Sequence, residues 1–465
     1  MRIHWLEDAD DGLSPRPGLS GPTRADVVIV GAGFTGLWTA RELLRRDPGL
    51  DVLVCEANIA GFGASGRNGA WLSPGIAVSP AELARRSSPG AARATVEAMR
   101  QTVTEVIRAC AEDGIDACAR QGGMLRVARG RHELPAMRDS YRTLAELGLA
   151  DGIDLLPAEA LRERVRINGA EGALFDPHAA AIHPGRLVRG LARTVERLGA
   201  TIVEDTPVTE VRPRGAPRGS DAAGQGPRVV TTRGTIDAEV AVIASEAWVT
   251  RLPRRRRAVL PLYSLIVLTE PIDEATWEEI GWHGHELLSS HRYTVDYLSR
   301  TPDGRVLFGG RGAPYHFRSR IDPAFDRHDP THALLRAQLR TWFPPLAGIG
   351  LSHAWGGPLA MPRDWMPNIR HDRRTGIAEA FGYTGQGVAT SNLAGRILAD
   401  LIVTGDTPFR DLPMVGHRSR RWEPEPLRWL GARYLQRALS HLDARAARTG
   451  VPPTGRTLAE RLLRH

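Results

Sequence analysis

The most constraining feature of this chain is a glycine fingerprint between a strand and a helix. Residues 25–30 form a short, continuously apolar run, as in strands that are buried on both faces of a parallel sheet. The pattern G-x-G-x-x-G follows directly at Gly31, Gly33 and Gly36, and apolar residues then recur at helical spacing. A second apolar run ends at Glu56, about 20 residues after the last glycine. Together these segments predict one βαβ unit.

This unit predicts a dinucleotide site. The three glycines permit, in order, the tight turn, the approach of a pyrophosphate to the backbone, and close packing of helix on strand. Phe34 and Thr35 open the helix, whose N-terminus offers N–H groups and a partial positive charge to the phosphates. The Glu56 carboxylate is placed to accept hydrogen bonds from the ribose hydroxyls. A βαβ unit without a nucleotide is the alternative, and the fingerprint alone does not separate FAD from NAD.

Two further glycine segments favour a larger ligand than NAD. Residues 61–71 are glycine-dense at a point where a simple NAD enzyme would continue into a crossover helix. Residues 377–403 repeat the order of strand, glycine turn and helix, and the turn comprises Gly385, Gln386, Gly387 and Val388. If this unit folds back onto the first, its helix N-terminus can face the N1 and C2=O edge of a flavin and stabilise the reduced state. The alternatives are a surface loop and a turn with packing duties only.

Composition excludes several kinds of chemistry. All 61 basic residues are arginine, so mechanisms that need a lysine, such as a pyridoxal-phosphate Schiff base, are excluded. The net charge of +8 is attributed to this arginine usage and not to a nucleic-acid partner, and none is expected. The 3 cysteines form no CxxC motif, and His283 and His285 lack acidic or cysteine companions, so no metal site is predicted. The apolar runs are too short for a membrane span and no signal peptide is evident, which predicts a cytoplasmic protein.

At these motifs the chain resembles the D-amino-acid-oxidase-like superfamily of FAD-dependent oxidoreductases, and within it the γ-glutamylputrescine oxidase-type branch. The resemblance spans residues 25–405. Besides the three glycine segments, the motifs that carry it are His183 and Pro184 before a helix, residues 309–312, residues 355–357, Asp364 and Pro367.

The resemblance implies an α/β fold in which a Rossmann-like FAD-binding domain is interleaved with an α+β substrate domain on a mainly antiparallel sheet. The implied FAD-binding domain covers 25–90, 166–254 and 346–405, and the substrate-binding domain covers 91–165 and 255–345. Residues 406–465 are predicted to form an Arg-rich helical tail. From Arg418 onward its periodicity places apolar residues on one side of a helix: Leu427, Leu430, Tyr434, Leu435, Ala438 and Leu442.

The resemblance also implies cofactor contacts. Glu56 would hold the adenosine ribose, Val208 would contact the adenine through its backbone, and the turn at 385–388 would close on the flavin ring. The residues implied along the pyrophosphate and flavin are Ala64, Ser65, Arg67, Asn68 and Gly69. Some relatives attach the flavin through a late cysteine or a histidine in the first glycine loop. No cysteine follows Cys118 here and no histidine lies in 57–75, which predicts non-covalent FAD.

The implied reaction is hydride transfer from a carbon that bears nitrogen to flavin N5, which yields an imine that water hydrolyses. The predicted substrate is an amine or amino acid, and molecular oxygen is the expected electron acceptor. No catalytic base is assigned. The candidate residues of the substrate cavity are Trp71, Tyr263, Arg311, His353 and Trp355. Arg311, in a glycine-rich turn after a strand, is predicted to pair with a substrate carboxylate.

Three other interpretations stay open. Some sarcosine-oxidising relatives use a lysine to promote oxygen reduction, and this chain has none, so a dehydrogenase with another acceptor is the first alternative. The second is a tRNA-modifying flavoenzyme, which the basic charge favours weakly. The third assigns the tail from Arg418 to a membrane surface or a protein partner.

Overall fold

The fingerprint strand lies at the centre of an eight-stranded sheet in the computed structural model, which describes residues 3–9, 13–216, 226–311 and 315–463. Thr23–Val30 pairs in parallel with Thr235–Ile243 on one side and with Val52–Cys55 on the other. The order along the sheet is Asn368–Asp372, Ile377–Phe381, Thr235–Ile243, Thr23–Val30, Val52–Cys55 and Thr201–Val203. Two antiparallel strands, Val208–Arg212 and Arg228–Thr231, branch from Thr235–Ile243.

The fingerprint strand is apolar throughout because both of its faces are covered. Val27 and Ile29 belong to a core formed with helices, whereas Val28 and Val30 belong to a separate core against the branching strands. The helices of the first core are Phe34–Arg46, Pro80–Arg86, Pro89–Glu112, Pro184–Arg197 and Gly387–Val403. This burial on both sides explains why the strand lacks the alternation of a half-exposed strand.

A second eight-stranded sheet is antiparallel except for one parallel pair. Its order is Leu351–Met361, Leu260–Thr269, Val306–Arg311, Asp296–Arg300, Leu287–Ser290, Met124–Arg129, Ala170–Asp176 and Asp154–Pro157. The helix Asp329–Trp342 packs on one face through Leu335 and Leu339. A short third sheet pairs Trp71–Leu72 with Ala180–Ala181. Together the sheets and helices confirm the predicted α/β fold class.

The remaining elements are short, apart from the helix Leu134–Glu146 and the tail helix Leu427–Thr449. The other α-helices are His4–Glu7, Leu134–Glu146, Ala158–Arg164, Glu274–Ile280, Leu427–Thr449 and Leu458–Leu463. The 3-10 turns are Ala64–Gly66, Arg131–Glu133, Glu246–Arg251, Phe317–Ser319, Pro323–Asp326 and Pro344–Leu346. In the described ranges, no helix is long and apolar enough to cross a membrane.

Three segments pack with the other unit of the fold than the one that the predicted domain boundaries assign to them. Ala170–Asp176 and Leu351–Met361 pair within the second sheet, because each has a full-length antiparallel neighbour there. Pro89–Glu112 packs instead in the core of the nucleotide-side helices, through side chains such as Met99 and Val103. The domain division as a whole stays a prediction.

The tail contains the predicted helix, at Leu427–Thr449, and the apolar residues near its start are largely exposed. Leu427, Leu430 and Tyr434 are 60%, 53% and 44% exposed. The helix instead buries Arg428, Ala432, Asp443 and Ala446. Hydrogen-bonded charged groups, which periodicity analysis treats as surface residues, hold this helix against the body.

Candidate active site

The fingerprint turn has the geometry that a nucleotide-binding loop needs. Gly31 has a φ of +108° and donates its N–H to the Cys55 carbonyl at 2.8 Å. A Cβ at Gly36 would overlap the Gly31 carbonyl oxygen, and a Cβ at Gly33 would lie 2.9 Å from Ser65 Oγ. Gly31 and Gly36 therefore require glycine, and a side chain at Gly33 would displace Ser65. These residues fit the pyrophosphate of FAD.

The Glu56 carboxylate lies beside this turn, at the end of the second strand. Its oxygens accept hydrogen bonds from the Ala32 N–H at 2.9 Å and the Asn58 N–H at 3.0 Å. Burial raises the pKa of Glu56, and the backbone donors only partly offset that rise. The position fits a carboxylate that binds ribose hydroxyls. Val208 lies farther along the chain, where its strand begins and pairs with Thr231.

The first glycine loop is attached to the fingerprint helix. Ala64–Gly66 forms a 3-10 turn, and Ser65 Oγ accepts the Phe34 N–H at 2.8 Å. The Asn68 side chain makes two hydrogen bonds within the loop. Its Nδ2 donates to the Ser65 carbonyl at 2.9 Å, and its Oδ1 accepts a hydrogen bond from the Ala70 N–H at 3.0 Å. The loop is thus held in one conformation by its own polar side chains.

Arg67 crosses from this loop to the second sheet. Its guanidinium pairs with Asp326 at 2.8 Å and donates to the Phe62 and Gly356 carbonyls at 2.9 and 3.1 Å. Burial raises the pKa of Asp326 more than the neighbouring Arg67 lowers it. The Arg67 Nη2 atom is buried without a hydrogen-bond partner among the described residues. An orphaned donor beside the glycine loop fits a ligand acceptor there.

The second glycine turn is anchored by a carboxylate. Glu246 accepts the Gly382 N–H at 2.8 Å and the Tyr383 N–H at 3.3 Å, and burial raises its pKa to about 7. Gly385 has a φ of +93°, a backbone conformation that favours glycine. The Gln386 side-chain oxygen accepts the Ser73 hydroxyl at 3.1 Å. The helix Gly387–Val403 begins directly after this turn.

The two glycine-bearing units pack against each other through their helices. The first glycine loop and the second glycine turn line a cavity of about 580 Å³, whereas no residue of the Gly31–Gly36 turn is part of its wall. A Cβ at Gly395 would lie 2.8 Å from Trp38 Cβ, so the two helices approach as closely as a glycine allows. The glycine-segment residues that line the cavity are Ala64, Arg67, Asn68, Gly69, Gly385, Gln386 and Val388. Residues from opposite ends of the sequence thus share one cavity. Its remaining walls come from the second sheet, from the segment 73–83 and from the helices Pro89–Glu112 and Leu134–Glu146.

Of the predicted substrate-cavity residues, the structure places Trp71 on the cavity wall. Its indole N–H donates to the Leu298 carbonyl at 3.2 Å, and its ring meets Tyr297 edge to face with centroids 6.3 Å apart. The strand of Arg311 ends at that residue, whose side chain lies outside the described part of the chain.

Three other candidates lie behind the cavity wall. Tyr263 is fully buried in the core on the opposite face of its strand, and burial raises its pKa to about 12. Trp355 is also fully buried and donates its indole N–H to the Arg67 carbonyl at 2.9 Å. His353 contacts Ser352 at 3.0 Å and Glu7 at 3.3 Å. These side chains support the site and do not face its space.

Sequence reasoning missed three cavity residues: Tyr297, Arg126 and Asp296. Tyr297 packs so closely on Gly69 that a Cβ there would overlap its ring, and its hydroxyl lies 2.9 Å from Ser264 Oγ. No sequence signal marks these residues, because they come from two strands that flank Leu287–Ser290 in a sheet whose order the sequence does not state. Within the described ranges, no group of three metal-ligating side chains gathers.

Comparisons with known proteins agree with this geometry. The family model described as FAD dependent oxidoreductase (DAO) matches residues 26–401, and the chain belongs to this family. It is therefore an FAD-dependent oxidoreductase, as the resemblance implied.

Individual proteins extend the comparison. Gamma-glutamylputrescine oxidoreductase of Escherichia coli K12 is 29% identical over 417 residues, which is 88% of this chain and 91% of that protein. The crystal structure of glycine oxidase from Geobacillus kaustophilus has a TM-score of 0.70 at 24% identity and covers 85% of this chain and 99% of its own. The crystal structure of L-proline dehydrogenase from P. horikoshii has a TM-score of 0.67 at 22% identity, and the match covers 84% of this chain and 96% of that chain. The two solved structures show the shared fold.

Proposed function

We propose that this chain oxidises the C–N bond of an amine or amino acid to an imine, with FAD as the hydride acceptor and molecular oxygen as the final electron acceptor. The family supports the FAD chemistry. The relatives named for γ-glutamylputrescine and glycine support a small nitrogen-bearing substrate.

The observation that supports the proposal is a cavity lined by both the first glycine loop and the second glycine turn, which come from distant parts of the sequence. Bound FAD supplies a ring that accepts a hydride from the carbon next to a substrate nitrogen. Among this chain's residues, the Gly31–Gly36 turn and Glu56 would bind the nucleotide half, and the turn at 385–388 would face the ring. Trp71 and Tyr297 would orient the substrate and exclude water from its reacting carbon.

The electron acceptor and the mode of FAD attachment are part of the proposal. We favour an oxidase with non-covalent FAD in the cytoplasm, and the alternative is a dehydrogenase of the same fold. The absence of lysine from the sequence favours that alternative, because one known device for oxygen activation is missing.

The test is a visible spectrum of the purified protein followed by anaerobic mixing with a panel of amines and amino acids. We expect a flavin spectrum, release of free FAD on acid precipitation, bleaching by at least one amine, and recovery in air with release of peroxide. Bleaching that recovers only with an artificial acceptor would favour the dehydrogenase. A colourless protein that FAD does not reconstitute, or a flavin that no amine reduces, would contradict the proposal.

A further inference from the structure

Arg126 lies on the wall of the cavity that the second sheet provides. On the strand Met124–Arg129, Met124 and Arg126 line the cavity, whereas Leu125 and Val127 lie in the core on the other face. This alternation follows from the period of two in a strand. The Arg126 guanidinium is therefore directed into the space that would hold the substrate.

The other cavity arginines already have partners. Arg67 pairs with Asp326 at 2.8 Å, and Arg292 lies 3.8 Å from Asp443. Arg100 donates to a backbone carbonyl at 2.7 Å. The protein therefore already engages each of these guanidinium groups through at least one polar contact.

The Arg126 guanidinium differs from those of the other cavity arginines, because no ion pair or side-chain hydrogen bond engages it within the described part of the chain. Glu133 is the carboxylate that acts on it electrostatically, but from beyond ion-pair distance. Glu133 instead accepts the N–H groups of Arg129 and His291, both at 3.1 Å. Burial lowers the pKa of Arg126, as expected of a cation that lacks a close counter-ion. An anion bound in the cavity would supply the counter-ion that the buried Arg126 charge lacks.

The position of Arg126 also indicates where that anion belongs on the substrate. Met124 and Trp71 pack against the same small core, beside the first glycine loop. Arg126 is two residues farther along the strand. The strand Leu287–Ser290 lies between the strand of Arg126 and that of Tyr297, so the backbones of these two residues are about 10 Å apart across the sheet.

We propose that Arg126 binds a carboxylate of the substrate that is several bonds away from the oxidised C–N bond, so that the substrate class is an amine with a remote carboxylate, such as an ω-amino acid. The planar guanidinium suits a bidentate contact with this group. The proposal rests on the proposed function and deepens it, because it assigns the second polar group of the substrate.

The first test compares kcat/KM of the holoenzyme for ω-amino carboxylates from 3-aminopropanoate to 8-aminooctanoate with n-alkylamines of equal chain length. We expect at least a roughly tenfold preference for the carboxylate at the best length, carried by KM. Arg126→Gln should remove the preference, while Arg100→Gln, at a cavity arginine bound to backbone, should keep it. A preference that survives Arg126→Gln would overturn the proposal, as would its absence in the unaltered enzyme.

A binding measurement separates this proposal from the proposed function. Hexanoate has no amine to oxidise, and its Kd for the holoenzyme can be measured by titration calorimetry. We expect at least about tenfold weaker binding in Arg126→Gln and an unchanged Kd in Arg100→Gln. If Arg126→Gln loses FAD, Arg126→Met, which keeps an unbranched stem, replaces it. Equal hexanoate binding by variant and unaltered enzyme overturns the role of Arg126, whereas failure of every amine to reduce the flavin overturns the proposed function alone.

Discussion

The hydroxyl groups of Thr35 and Tyr383 lie 2.9 Å apart, although 348 residues separate them in the sequence. Thr35 is in the first turn of the fingerprint helix, and Tyr383 is in the turn before Gly387–Val403. Both side chains are buried. This hydrogen bond directly joins the two glycine-bearing units, so it helps to set their separation.

Tyr383→Phe should lower the free energy of unfolding by about 1–2 kcal/mol, because Thr35 keeps a buried hydroxyl without its partner. Urea unfolding of the holoprotein measures this loss, and FAD content per chain should also fall. Thr35→Val and the double variant complete a mutant cycle. The cycle should give a coupling energy of at least about 0.5 kcal/mol, whereas additive effects would show that the hydrogen bond does not couple the units.

Gly36→Ala should abolish FAD binding or destabilise the fold by at least about 2 kcal/mol, because the added Cβ overlaps the Gly31 carbonyl oxygen. The flavin absorbance per chain and the Tm measure both outcomes. Gly431→Ala is the matched control, since nothing lies within 4 Å of a Cβ at this helical position. It should be neutral or stabilising by up to about 1 kcal/mol. Equal behaviour of the two variants would contradict the proposed packing of the fingerprint.

The pH dependence of stability should include a contribution from Glu246. Its pKa rises from the ordinary 4.5 to about 7 in the fold, so the folded state favours the neutral acid. The stabilisation is fully present below about pH 4.5 and is lost as the pH rises towards 7. Between these limits the native protein binds more protons than the unfolded chain, so the free energy of unfolding falls as the pH rises.

Glu246→Gln should remove this contribution. From pH 5 to 8, the unfolding free energy of the unaltered protein should fall by roughly 2 kcal/mol more than that of the variant. Urea unfolding at several pH values measures the difference in slope. Glu239→Gln changes a carboxyl that is 64% exposed and serves as the control. Parallel curves for Glu246→Gln and the unaltered protein would contradict the assignment.

In the tail helix, the buried charged residues should contribute more to the free energy of unfolding than the exposed apolar residues. Arg428 donates two hydrogen bonds to Glu425 and one to the Arg256 carbonyl, and its side chain is 1% exposed. Arg428→Ala should therefore lower the free energy of unfolding by about 3 kcal/mol, because it leaves buried polar partners unmatched. Leu430→Ser, at a position 53% exposed, should change it by less than about 0.5 kcal/mol. A larger effect at Leu430 in thermal unfolding would show that the apolar face is covered in solution.

The sequence alone determined the βαβ fingerprint, the glycine turn at the far end and the α/β class. Each depends on residues close in the chain: a fully apolar run marks a strand buried on both faces, and glycines mark turns that no other residue fits. The packing that requires these patterns is tertiary, but the patterns themselves occupy contiguous residues, which is why they can be predicted without a structure.

Only the tertiary structure decided which side chains face the cavity. Every residue of Leu260–Thr269 is buried, so no alternation in polarity indicates that Ser264 faces the cavity and Tyr263 the core. Arg126 is one of 61 arginines, and it stands out only because neighbouring strands leave its guanidinium without a partner. Face, register and charge compensation are relations between distant segments, and a single sequence does not encode them locally.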